Sequence, residues 1–129
     1  MQSLWNDNEV QGLGSDPLSL RVYTSRLLGR EPNLVLHGGG NTSAKAVIEN
    51  IFGESEDIIY VKGSGGDLIS IDRNGFAPIR LNVLKRMAEF AHLTDMEMVR
   101  LQRAAMTDPY APNPSVEAIL HAIIPFQFV

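Results

Sequence analysis

Two β-prone runs in this chain end directly in clusters of glycine. Leu34-Val35-Leu36 passes into His37-Gly38-Gly39-Gly40-Asn41-Thr42-Ser43, and Asp57-Ile58-Ile59-Tyr60-Val61-Lys62 passes into Gly63-Ser64-Gly65-Gly66. Short apolar runs bounded by glycine read as strands feeding tight loops. Strands are therefore expected at 34–36, at 42–48, where the pattern alternates, and at 57–62, with a further short one at 68–71 and a turn over Asp72-Arg73-Asn74-Gly75.

Helical signals surround these strands. Asp16-Pro17 supplies an N-cap followed by proline at the first helical position, and Leu18, Leu20, Val22, Tyr23 and Leu27 recur at helical spacing until Gly29. Leu84, Met87, Ala88 and Ala91 place a second helix at 81–92, and Thr94-Asp95-Met96-Glu97 is a capping box that opens a third, ending near Met106. Asn113-Pro114-Ser115 repeats the cap-then-proline signal, so a fourth helix is expected from there to Pro125, with β-prone residues Phe126-Gln127-Phe128-Val129 behind it. Residues 1–15 are polar and glycine-containing and read as a flexible arm, leaving 16–129 as the folded unit.

Charge and composition narrow the partners. The chain has 129 residues, 44% of them hydrophobic, which suits one domain with its own core. Fifteen acidic residues outnumber eleven scattered Lys and Arg, so an extended nucleic-acid backbone is a poor partner. With no cysteine there is no disulfide, thiolate metal site or Cys nucleophile. No leader-like segment opens the chain and no run reaches the roughly 18 apolar residues of a membrane span, so a cytoplasmic address without membrane partners is expected.

Neither glycine loop fits a nucleotide fingerprint. The first lacks the Gly-Lys-Ser/Thr ending of a P-loop, and the second has Leu68 where a dinucleotide motif needs its third glycine. What they offer is backbone N–H groups that an anion can approach closely, with Asn41, Thr42, Ser43 and Ser64 alongside. A helix start at Pro114-Ser115 would add more donors. Glu117, in its first turn, is either an ordinary dipole-favoured glutamate or an acid–base group beside an anion site. His121 follows four residues later, but Glu-x-x-x-His alone makes no metal site, and His37, His92 and His121 each read as histidines bonded to backbone. Lys45 and Lys62 flank the loops and could add positive potential.

Three segments together, Leu34 to Lys45 (LVLHGGGNTSAK), Tyr60 to Leu68 (YVKGSGGDL) and Pro114 to Pro125 (PSVEAILHAIIP), resemble the class II aldolase/adducin family. The likeness is greatest to the aldolase part of bifunctional rhamnulose-1-phosphate aldolase/alcohol dehydrogenase proteins, from about Asp16 onward. The resemblance implies an α/β/α layered fold around a mostly antiparallel sheet. It also implies retro-aldol cleavage of a phosphorylated ketose to dihydroxyacetone phosphate and an aldehyde, helped by a divalent metal, usually zinc. Carried over by position, Glu117 would be the catalytic glutamate, and Gly40, Asn41, Ser43, Ser64, Gly65, Ser115 and Val116 would bind substrate and phosphate. Val116 stands where some members have a second serine, leaving its N–H alone. The His-x-His metal ligands of the family would follow Val129, so an N-terminal portion is expected, without metal ligands, inactive on its own and prone to form homo-oligomers. NAD would belong only to a fused dehydrogenase half. The alternatives are an adducin-like scaffold module or a phosphate-ligand-binding domain.

Overall fold

The computed structural model describes residues 1–129 as a mixed fold of helices and antiparallel sheet. A short helix, α1 (Asp7–Gln11), lies within the segment expected to be an arm. Trp5 there meets Tyr23 edge-on, with ring centroids 5.7 Å apart, and Asn6 donates its N–H to the Tyr23 hydroxyl. Helix α2 (Pro17–Gly29) starts as the sequence predicts: the Asp16 carboxylate accepts from Leu18 and Ser19 N–H, and proline needs no donor partner at that position. It ends against a 3₁₀ turn at Leu68–Ser70, so closely that a Cβ on Gly29 would lie 2.2 Å from the Ile69 nitrogen.

Strands β1 (Ser43–Glu49), β2 (Ser55–Lys62) and β3 (Phe76–Arg80) form an antiparallel sheet in chain order, Ser43 opposite Val61 and Lys62 opposite Phe76. Residues 127–129 extend it beyond β1 through an Ala44–Phe128 bridge, in keeping with their β-prone composition. Met106 bridges to Ile79 on the β3 side. Alternate residues of β2 serve opposite faces. Ile59 and Val61 enter a core with Ile79, Leu84, Met87, Ala118 and Ala122, while Tyr60 packs toward Leu18, Val22, Leu68, Ile71 and Phe76. Helix α2 therefore covers one face and α3 (Leu81–Met87) with α5 (Ala118–Ile123) the other, giving the α/β/α layering. Each fully buried Ile or Leu contributes roughly 1.5–3 kcal/mol over an exposed one. Between them, α4 (Asp95–Ala104) has the predicted reciprocal capping box of Thr94 and Glu97.

Several expected elements differ. Residues 34–36 are turn, not strand: Leu34 and Val35 N–H both bond the Glu31 carbonyl, and only Val35 packs inward, leaving Leu34 and Leu36 exposed. The expected strand at 68–71 is instead the 3₁₀ turn Leu68–Ser70 capped by Ile71, because Leu68 and Ile71 reach the core three residues apart rather than two. Strand β3 was not foreseen because Pro78 sits in it; the ladder tolerates it since the Pro78 carbonyl still accepts from Thr107 on the outer side. Helix α3 stops at Met87, short of 92. Finally, the last helix begins at Ala118, not at Pro114-Ser115, which alters the site.

Candidate functional site

The first glycine loop leads into β1 and the second leaves β2. Because Ser43 pairs with Val61, the two loops emerge at the same end of the sheet. They touch: a Cβ on Gly38 would come within 3.4 Å of the Gly65 carbonyl oxygen. Gly38, Gly40 and Gly65 all have positive φ (67°, 73° and 83°), a region that side chains with a Cβ enter at a cost.

The third segment is fastened to the second loop by a β-bridge between Gly63 and Pro114. Ser64 N–H donates to the Asn113 carbonyl, and Ser115 N–H to the Lys62 carbonyl, 3.1 Å in each case. The bridge uses groups on either side of Pro114, so the proline's missing N–H costs nothing. It also corrects the expectation of a helix start at Ser115: that N–H already has a partner, and the first turn of α5 forms only after Glu117. Among the N–H groups of these loops without an acceptor within the chain are those of Gly40, Asn41, Gly65, Gly66, Val116 and Glu117.

This fastening brings Glu117 to the first loop. Its Oε2 accepts from Asn41 Nδ2 at 3.1 Å and from the Ser115 hydroxyl. A carboxylate only accepts, so the Asn41 amide nitrogen must face it, and Asn41 Oδ1 is left buried without a partner. Ser64, Gly65, Val116 and Glu117 are exposed, whereas Asn41 and Ser115 are half-buried.

Behind them stand two buried groups. Lys62 is 3% exposed, and its ammonium lies 3.3 Å from the carbonyl oxygens of both Gly38 and Gly63. Burial lowers its pKa from the usual lysine value, while the carboxylates of Asp67 and Glu117 oppose that shift. Lys62 is thus the cation of the site. Lys45 is not part of it; its ammonium bonds the carbonyls of Ile124 and Phe126 and ties the last residues to β1. Ser43 is also set back, fully buried with its hydroxyl 2.8 Å from His121 Nδ1. Of the three histidines only His121 is buried, and its partner is that serine rather than backbone; burial lowers its pKa, Glu117 opposing and Arg21 and Lys45 reinforcing the shift. His37 and His92 are exposed.

The structure brings together Asn41, Ser115 and Glu117 of the residues singled out in the sequence, with Ser64 on the adjoining loop, and adds Asp67, whose carboxylate accepts from Gly38 N–H. The signal available was an acidic residue placed just behind a glycine loop. For a divalent metal the residues do not fit: no three His, Cys, Asp or Glu side chains gather in this chain. No helix is long and apolar enough to cross a membrane.

No family model matches the chain. The solved structure of the N-terminal class II aldolase domain of a conserved protein from Thermoplasma acidophilum superposes with a TM-score of 0.89 at 40% identity, over 99% of this chain and 58% of that one. The uncharacterized oxidoreductase YuxG of Bacillus subtilis (strain 168) is 34% identical over 129 residues, all of this chain and 19% of that protein. The chain thus spans little more than half of the solved chain and about a fifth of the curated relative it matches. In fold, the chain is similar to a class II aldolase domain.

Proposed function

We propose that this chain forms the phosphate- and enediol-binding half of a class II aldolase site, taking dihydroxyacetone phosphate or the matching end of a phosphorylated ketose such as rhamnulose 1-phosphate. The observation that carries this reading is the Asn41–Glu117–Ser115 cluster held between two positive-φ glycine turns. Free N–H groups at Gly40, Gly65 and Val116, with the Ser64 hydroxyl, would receive phosphate oxygens, and the Lys62 ammonium behind them favours an anion. The unpartnered Asn41 Oδ1 would accept from a substrate hydroxyl next to the carbonyl.

Glu117 is the acid–base group. In cleavage, the carbon released from the breaking bond takes a proton from the Glu117 carboxylic acid; in condensation, the carboxylate removes it. Ser115 and Asn41 hold the carboxylate in place. Polarisation of the ketose oxygens by zinc would require ligands from outside these residues. This chain gathers no such ligand set, so we expect it to bind the phosphorylated ketone without turning it over. The same observation favours a second reading, a phosphate-ligand-binding or adducin-like scaffold module. NAD would serve only a dehydrogenase region outside these residues, a reading supported by the name of the Bacillus relative.

The test is a titration of dihydroxyacetone phosphate into the chain, followed by amide chemical shifts, with inorganic phosphate as competitor. Saturable shifts at Gly40, Asn41, Gly65 and Val116 are expected, weakened at least about tenfold in Asn41→Ala, the loss of roughly one charge-assisted or multiple hydrogen-bond contribution. Shifts confined to other residues, or none, would remove the proposal. Equal binding of phosphate and dihydroxyacetone phosphate would favour the scaffold reading.

A further inference from the structure

The first glycine turn is gripped by opposite charges from the second loop. At Gly38, the N–H donates to the Asp67 carboxylate and the carbonyl oxygen accepts from the Lys62 ammonium. Lys62 and Asp67 bracket Gly63–Gly66, and Lys62 spends a second bond on the Gly63 carbonyl. One short loop therefore holds the other by two charge-assisted contacts on adjoining peptide groups. These are stronger than neutral hydrogen bonds, and Gly38 itself, at φ 67°, has no side chain to brace it. Asn41 lies three residues further on, and its amide must meet Glu117.

We propose that Asp67 and Lys62 are positioning residues, a charge clamp on the Gly38 peptides that fixes the first turn and so sets Asn41 against Glu117. What the clamp serves depends on the sugar-phosphate reading above; its existence does not. The two residues differ in setting. Lys62 is buried among the Gly38 and Gly63 carbonyls, with Asp67 and Glu117 as the charges acting on it, while Asp67 is exposed and remains open to solvent ions.

Amide hydrogen exchange and proton shifts of the ligand-free chain read this directly. In Asp67→Asn, Gly38 exchange accelerates about tenfold or more, as expected for loss of a bond to a charged group, and the Asn41 side-chain amide resonances shift. Asp67→Glu restores part of the protection, which a purely steric role would not. Lys62→Met keeps the buried stem and shifts the Gly38 and Gly39 resonances without unfolding the sheet, checked by unchanged exchange of Ile59 and Ile79. Unchanged Gly38 exchange in Asp67→Asn, or unmoved Asn41 side-chain amide resonances there, overturns the clamp. A failure of dihydroxyacetone phosphate to bind the wild type overturns only the functional reading, since no ligand enters the exchange measurement.

Discussion

The second glycine loop offers three positions at which one substitution, Gly to Ala, meets three different physical situations. At Gly63 the backbone needs no special φ, but an added Cβ would lie 2.8 Å from both Cβ and Cγ of Pro112 and 3.2 Å from the Gly75 carbonyl oxygen. The proline ring is rigid, and Gly75 O already accepts from Gly63 N–H at 2.8 Å, so neither yields without moving the loop. Overpacking of this kind costs about 1–3 kcal/mol. At Gly65 nothing lies within 4 Å, but φ is 83°, and the left-handed conformation alone costs alanine about 1–2 kcal/mol. At Gly66 there is open space and no positive φ, so alanine is neutral or stabilises by up to about 1 kcal/mol through the unfolded chain. Urea unfolding should rank stabilities Gly66→Ala at or above wild type, then Gly65→Ala, then Gly63→Ala. Melting temperatures should move about 3–5 °C per kcal/mol. The two costly variants are separated by mechanism: Gly63→Ala must also disturb Ser115 and Glu117, because Pro112 begins the segment bridged to this loop. A Gly66→Ala variant as destabilised as Gly63→Ala, or a Gly63→Ala variant with unmoved Ser115 and Glu117 amide shifts, would refute the reasoning.

Arg21 is buried and makes no hydrogen bond through its Nε, and burial lowers its pKa to about 10; Arg21→Met should raise the urea midpoint, by roughly 1–2 kcal/mol of stability, since an uncompensated buried charge is removed. His121 has a folded-state pKa below its ordinary 6.5, so the unfolded chain binds more protons there: stability holds above that value and falls as the pH drops from it toward the folded-state pKa. Urea midpoints at pH 7.5 and 5.5 should differ less in His121→Gln than in the wild type. Ile79→Ala, at a fully buried position in the larger core, should cost about 2–5 kcal/mol in the same assay.

The sequence displayed the elements whose signals are local and chemical. Asp16-Pro17 and Thr94-Glu97 fixed two helix starts because a capping side chain has only nearby backbone donors to satisfy. The Pro114 signal misled for the same reason in reverse. Proline is as well suited to a bridge that never uses its N–H as to a helix start, and only the distant Lys62 carbonyl decides between them. Leu34 to Leu36 failed because three apolar residues cannot distinguish strand from turn, and two of the three face solvent. In the site, Asn41, Ser115 and Glu117 were legible through the combination of motifs, but Ser43 was not separable from them. Adjacent residues on a strand point oppositely, and nothing local says that Thr42 would bond Ser25 while Ser43 met His121.

Those two buried contacts explain how a site made of loops stays in one arrangement. Asn41 is carried at the end of a strand whose next two side chains are tied, Thr42 to Ser25 on α2 and Ser43 to His121 on α5. Helix α5 starts directly after Glu117, so His121 anchors the carboxylate's own element, one turn on, to the strand bearing its asparagine partner. The Gly63–Pro114 bridge then fixes Ser115 from the other side. Each group that meets the Glu117 carboxylate is therefore fastened within two residues to an element packed on the sheet, and the glycines are confined to the stretches between. That division gives backbone freedom where an anion must approach and rigidity where a proton must be moved, the preorganisation an acid–base carboxylate requires. Loss of the Ser43–His121 bond should consequently loosen the Asn41–Glu117 contact before it unfolds the sheet.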